Sequence, residues 1–260
     1  MKHAETRIVA VANQKGGVGK TTTSVNLAGE LARRGQQVLL IDCDPQGNAT
    51  TSLGVTKRGL AATTYEVMTG VVGLDGAIRT TGREHFDIVP ATEHLAGAMV
   101  ELVDAERRDW RLADALENVA GYDWVLLDCP PSLSLITVNA LCAAQYVLIP
   151  LQCEFLALEG LAQLKGTIDK VHDHLNPKLE IMGVVMTMYD GRTNLAQQVV
   201  EEVRHHFPKR IFNTLIPRSV RLSEAPSYGQ LVTEYDPQNR AALAYAALAD
   251  EVLRRVEVAI

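Results

Sequence analysis

The 260-residue chain has little cysteine, no linker-like stretch, no surplus of positive charge and no long apolar run, and each shortage narrows what it can be. Its four cysteines, Cys43, Cys129, Cys142 and Cys153, lack Cys-x-x-Cys spacing and sit in or beside apolar runs. They read as reduced structural thiols of a cytosolic protein; a metal cluster bridging two chains through Cys129 is the other reading. No stretch of about 18 uninterrupted apolar residues occurs, so no bilayer span is expected. The few residues before Ile8 leave no room for a signal peptide, and the expected location is cytoplasmic. No Pro/Ser/Gly-rich or low-complexity block divides the chain, which favours a single domain over residues 1–260. The formal net charge of −6 argues against wholesale attraction to nucleic acid and leaves room only for a local basic patch.

What the sequence does contain is a 47% hydrophobic composition arranged as short β-branched runs alternating with helical patterns. Ile8 to Ala12, Val38 to Asp42, Phe86 to Pro90, Trp124 to Asp128, Tyr146 to Pro150 and Ile181 to Met188 read as strands. They lack polar alternation, as expected when helices cover both faces of a sheet. Helices are expected over Thr21 to Arg34, Trp110 to Val119, Leu133 to Ala144, Leu158 to His174, Leu195 to His206 and Arg240 to Val256. The fold class that follows is α/β: a doubly wound, mostly parallel sheet flanked by helices.

The first strand runs into Lys15-Gly16-Gly17-Val18-Gly19-Lys20-Thr21-Thr22 and then a helix, the context a phosphate loop requires. Glycines let backbone N–H groups approach phosphate oxygens, the helix N-terminus adds partial positive charge, Lys20 neutralises phosphate, and the Thr21 hydroxyl can ligate magnesium. Thr22 can add a hydrogen bond. The loop departs from the plain Walker pattern, with Gln14 in place of a glycine and a second lysine, Lys15, near its start. A loop does not need that lysine for its own phosphate. It is therefore either a solvated charge or a group that reaches a phosphate from elsewhere. Two strands end in carboxylates: Asp42 with Asp44 in one turn, and Asp128 ahead of Cys129-Pro130-Pro131. Such residues can hold magnesium or orient the attacking water, although a lone Asp often only caps a turn.

Five segments together resemble the ParA/MinD family of deviant Walker A ATPases, nearest the short chromosomal ParA (Soj-like) partition ATPases. They are the loop itself, Asp42-Cys43-Asp44-Pro45-Gln46-Gly47-Asn48, Asp128-Cys129-Pro130-Pro131-Ser132, Thr187-Met188-Tyr189-Asp190-Gly191-Arg192-Thr193, and Ile216-Pro217-Arg218-Ser219-Val220-Arg221 with Glu224-Ala225-Pro226. The resemblance implies a weak, partner-stimulated ATPase using ATP and Mg2+, and an ATP-bound homodimer in which Lys15 crosses to the other chain's phosphates. It implies that Asp44 orients the water, that Thr21, Asp42 and Asp128 serve the magnesium, and that Pro217 and Ser219 border the adenine. The family often has Asn where this chain has Ser219, which weakens a side-chain contact to the base. Nonspecific double-stranded DNA and a ParB-like centromere-binding protein are the implied partners, with the protein on the nucleoid. Arg192 and Arg221 are the best-placed DNA contacts, with Arg218 and the pair Lys57-Arg58 behind them.

Two other function classes fit the loop less well. A MinD-like membrane switch needs a basic, bulky amphipathic tail, and the run from Val252 to Ile260 is short and poor in large side chains. A metabolic phosphotransferase or a reductase component would need other signatures, such as a glycine-flanked cluster cysteine, that Cys129 before Pro130 does not supply. With so few residues before Ile8, no N-terminal helix-turn-helix segment is expected.

Overall fold

The structure is a computed structural model, and it describes residues 6–154 and 156–258. Met1 to Glu5, Phe155 and the tail residues Ala259 and Ile260 lie outside the described residues, so the readings of the extreme N-terminus and of the end of the tail do not meet the structure.

One eight-stranded sheet organises the chain. Its strands are β1 (Arg7–Val11), β2 (Val38–Asp42), β3 (Arg79–Arg83), β4 (Phe86–Val89), β5 (Trp124–Asp128), β6 (Tyr146–Gln152), β7 (Glu180–Tyr189) and β8 (Ile211–Pro217). The order across the sheet is β3-β4-β2-β5-β1-β6-β7-β8. Every pairing is parallel except the β3–β4 hairpin at one edge. The expected doubly wound sheet is thus present. The chain leaves β1 toward β2 on one side and reaches β6 on the other, so β1 lies at the reversal where ligands of such sheets bind.

The near-continuous apolar strands sort into two faces by their period of two. Ala10, Leu39, Ile41, Val125, Leu127, Val147 and Ile149 face one helical layer. That layer includes Leu135–Ala143, Ala157–His174 and Asn194–His206, which contribute Ile136, Leu161, Leu164, Ile168, Val200 and Val203. Val9, Val11, Val38, Leu40, Trp124 and Leu126 face the other layer. There α1 (Lys20–Ala32) and the helix Arg240–Val258 supply Val25, Leu27, Leu31, Tyr245, Leu248 and Val252. Because both faces are buried, the strands carry hydrophobic side chains at every position rather than at alternate ones. No described helix is long and apolar enough to cross a membrane.

Two strands went unread in the sequence, and both are edges. β3 reads Arg-Thr-Thr-Gly-Arg, half exposed and without an apolar run. β8 is interrupted by Asn213 and Thr214. Their N–H groups donate to the Glu251 carboxylate at 2.9 and 3.1 Å, which gives that buried carboxylate its hydrogen-bond partners. The helix expected over Trp110 to Val119 is shorter, a turn of 3-10 helix at Arg108–Trp110 followed by Arg111–Leu116. Cys43, Cys129 and Cys142 are buried as expected, whereas Cys153 is only partly so.

Candidate functional site

Parallel register brings three strand ends side by side: Val11 of β1 and Asp42 of β2 both align with Asp128 of β5. The loop after β1 then spans Ala12 to Gly19 and delivers Lys20 as the first residue of α1. Gly19 is the helix N-cap with φ +86°, a left-handed conformation that side chains rarely tolerate. The backbone N–H groups of Gly16 to Gly19 have no backbone partner among the described residues. They lead directly into a helix N-terminus, whose first N–H groups are unpaired by construction, so a run of donors faces the end of β1. Thr187 of β7 fixes the loop from the far side, its hydroxyl donating to the Val18 carbonyl at 2.8 Å.

The two lysines divide. Lys20 is 7% exposed, and its Nζ donates to the Lys15 carbonyl at 3.0 Å, inside the loop. Burial lowers its pKa, with Asp128 the strongest opposing influence, so an incoming anion restores the charge state that the site needs. The Lys15 side chain is instead about half exposed and pairs with Glu154 just beyond β6.

The three carboxylates are not equivalent. Asp128 accepts from the Thr21 hydroxyl at 2.8 Å and from the Ser24 hydroxyl at 2.7 Å, so both oxygens are engaged. Asp42 accepts the N–H and hydroxyl of Thr50 at 2.8 and 2.7 Å through one oxygen, and the Asp44 N–H at 3.2 Å through the other. Complete burial raises Asp42 to about 6; burial and the neighbouring Asp42 raise Asp128 to about 7. A divalent cation beside Thr21 and Asp128 would offset that penalty, and a hydroxyl with a carboxylate is a donor set that suits magnesium. Like Asp128, Asp42 has both oxygens engaged by protein donors, and through them it also holds the turn that carries Asp44. Asp44 accepts the Gln46 N–H at 2.9 Å through one oxygen, and its second oxygen has no protein partner among the described residues. Of the three, Asp44 alone has a side-chain oxygen without a protein donor among the described residues.

The Asp44 turn is held tightly. Gly47 has φ +59°, and a Cβ there would meet the Ala91 carbonyl at 2.5 Å and the Lys57 side chain at 2.6 Å. Lys57 Nζ closes the turn by donating to the Gln46 carbonyl at 2.6 Å. Thr50 is the hub behind it, because its hydroxyl also accepts the Ala91 N–H at 2.9 Å. Thr50→Val is expected to cost about 2–4 kcal/mol, since it removes a charge-assisted hydrogen bond and strands a buried N–H. The midpoint and slope of urea unfolding check this.

A cavity of about 220 Å3 opens beside the loop, lined by Gly19, Thr22, Met188, Pro217, Leu222 and Tyr245 among others. Ser219 also borders it, and its hydroxyl shares a hydrogen bond of 3.1 Å with Asn239. The cavity sets apolar side chains such as Met188, Pro217 and Leu222 beside polar ones and adjoins the donor-lined loop, so it suits a purine beside its phosphates. Met188, Leu222 and Tyr245 were not foreseen, because they come from three separate segments. Ser24 could have been found: it lies three residues after Thr21, on the same face of α1.

The candidate DNA contacts gather where β7 and β8 end, with Tyr189 paired to Pro217. Arg192 is 90% exposed and holds Asp190 through two hydrogen bonds of 2.9 and 2.7 Å, which keeps that carboxylate at about 2. Arg221 pairs with Glu224 at 2.7 Å and Asp236 at 3.3 Å. Arg218 donates its N–H to the Tyr189 carbonyl at 3.1 Å and borders the purine-sized cavity. Lys57 and Arg58 are on the other side of the site, by the Asp44 turn. None of the thiols is poised as a nucleophile: burial pushes Cys142 up to about 12 and Cys153 to about 11, and it raises Cys43 and Cys129 as well.

Comparison with known proteins agrees with this geometry. Residues 6–181 match a family model described as an AAA domain. The chain is 52% identical over 247 residues to the sporulation initiation inhibitor protein Soj of Bacillus subtilis, covering 95% of this chain and 98% of that protein. It is 50% identical over 260 residues to the chromosome-partitioning ATPase Soj of Thermus thermophilus, covering all of both. Among solved structures, one described as cobyrinic acid a,c-diamide synthase from Mycobacterium smegmatis, with bound ATP analog and magnesium, superposes with a TM-score of 0.86. It is 38% identical, with 98% of this chain and 97% of that one covered.

Proposed function

The chain belongs to the ParA/Soj family of chromosome-partitioning ATPases, and from that premise we propose that it is an ATP-driven dimerising switch that binds DNA without sequence preference. ATP lies with its base in the cavity beside Pro217 and Met188 and its phosphates on the N–H groups of Gly16 to Thr21, with Lys20 as their buried counter-charge. Thr21 and Asp128 would hold the magnesium, which would supply positive charge against the nucleotide's phosphates. Asp42 fixes the turn that carries Asp44, and Asp44 offers its free oxygen to the hydrolytic water. A ParB-like centromere-binding protein stimulates hydrolysis and thereby releases the dimer from the nucleoid.

The observation that carries the two-chain reading is the division of the lysines. Lys20 fills the cation's place in the loop, while the Lys15 ammonium lies half exposed at the surface and is not committed to its own loop. The synthase-described neighbour shares the fold and nucleotide chemistry at lower identity than the partition relatives. A DNA-retention assay with and without ATP, at several salt concentrations and with anionic vesicles as competitor, tests the proposal. ATP-dependent retention on DNA supports it; retention on vesicles alone overturns it.

Arg192, Arg218 and Arg221 form the DNA-facing patch, which a dimer doubles. Paired substitution of Arg192 and Arg221 by Ala is expected to leave ATP-dependent dimerisation intact and weaken DNA binding. With two arginines lost per protomer and about 0.9 counterion released per phosphate contact, the log–log salt slope should flatten by roughly 4. Titrations at four salt concentrations would read it, and an unchanged slope would remove these residues from the interface.

A further inference from the structure

We propose that Glu154 is the resting counter-ion of Lys15, a latch that each protomer opens before its lysine can serve a partner's nucleotide. This rests on the two-chain reading above and adds a residue that regulates it.

Both ends of the latch are anchored by backbone. The Lys15 N–H donates to Asn13 Oδ1 at 3.0 Å, and Asn13 Nδ2 donates to the Pro150 carbonyl of β6 at 2.8 Å. Glu154 follows the same strand: Cys153 donates its N–H to the Thr187 carbonyl at 3.3 Å, and Glu154 donates its own to Gln152 at 2.9 Å. The loop and the end of β6 are therefore tied together, and the Lys15 ammonium meets the Glu154 carboxylate as an ion pair. Among the described residues neither side chain has another ionic partner. Lys20 does not compete for Glu154, because its ammonium is turned to the Lys15 carbonyl.

An ammonium held by Glu154 in its own chain cannot at the same time neutralise a phosphate in another. The side chains are 51% and 30% exposed, so solvent screens the pair and its strength is that of a surface salt bridge. A symmetric dimer opens two such pairs at once. Surface-pair energies then convert to a dimer weakened by roughly twofold to thirtyfold. That is too little to forbid assembly and enough to raise the ATP-protomer concentration at which it begins. The latch sets a threshold; it does not lock the monomer.

Glu154→Gln keeps the shape and removes the charge. In an Asp44→Ala background, where dimers are expected to persist, sedimentation with saturating ATP and magnesium should show a dimer dissociation constant lowered by roughly twofold to thirtyfold. The ratio of dissociation constants with and without the Glu154→Gln change should shrink toward one in about 0.5 M salt, since the pair is screened there. An unchanged or weakened dimer, or a ratio indifferent to salt, overturns the latch. Lys15→Ala separates the two ideas. If it leaves ATP-dependent dimers intact, the two-chain reading fails and the latch with it. If it abolishes them while Glu154→Gln changes nothing, only the latch fails.

Discussion

Lys20→Ala is expected to abolish nucleotide binding in practice, raising the dissociation constant for ATP by a few hundredfold, to order of magnitude. The argument is one of charge in a confined place. Lys20 is almost fully buried, held at the mouth of the loop by the Lys15 carbonyl, with Asp128 the carboxylate that most favours its charge. An ATP phosphate arriving there meets backbone dipoles and one full positive charge. Removing a buried partner of a charged group costs about 2–5 kcal/mol, much of it the penalty of leaving the other charge unpaired. On the scale of 1.36 kcal/mol per decade, the middle of that range exceeds a hundredfold. The substitution should not unfold the protein, because burial already disfavours the ammonium in the nucleotide-free state. Calorimetric titration with ATP and magnesium, alongside a urea unfolding curve, separates loss of binding from loss of fold. Lys20→Arg should rescue poorly: the guanidinium is broader than an ammonium and cannot follow the same narrow approach.

How much of this could be read from the residues varies with the physics of each element. β2 and β5 are central strands whose side chains are buried on both faces, and their bounds, Val38–Asp42 and Trp124–Asp128, agree with the apolar runs residue for residue. β3 and β8 are edges that carry polar residues because solvent or Glu251 satisfies them, and composition alone does not distinguish them from loops. The phosphate loop was legible because its chemistry is local and contiguous. The purine cavity was half legible: Pro217 and Ser219 followed from the family resemblance, whereas Met188 and Tyr245 reach it from β7 and the last described helix. The roles of the three aspartates needed coordinates most. Their positions at strand ends were plain, but only hydrogen-bond partners distinguish Asp42, spent on Thr50 and the Asp44 turn, from Asp44 with an oxygen to spare. Glu154 carried no signal at all, since its contact with Lys15 joins residues 139 apart in sequence.

Asp44→Ala is expected to bind ATP within a few-fold of the unsubstituted protein while losing hydrolysis by about a hundredfold or more, the range for removal of a group that handles the attacking water. The separation follows from where Asp44 sits. Asp128 and Thr21 face the magnesium side and Lys20 the phosphates, so binding keeps its main contacts when Asp44 is truncated. The turn should also survive. Asp42 remains tied to Thr50, Gly47 keeps its close fit against Ala91, and Lys57 still closes the turn on Gln46. The loss of the Gln46 N–H bond costs only about 1 kcal/mol. If Asp44 serves water and not nucleotide, blocking it must trap the state that hydrolysis would end. With ATP the variant should therefore elute from a sizing column as a dimer and stay on DNA, with phosphate release in single turnover nearly absent. A protein that remains strictly monomeric with ATP refutes the switch. One that dimerises and still hydrolyses moves the water-orienting role to another residue, and Asp42 is poorly equipped for it, because both of its oxygens already have donors.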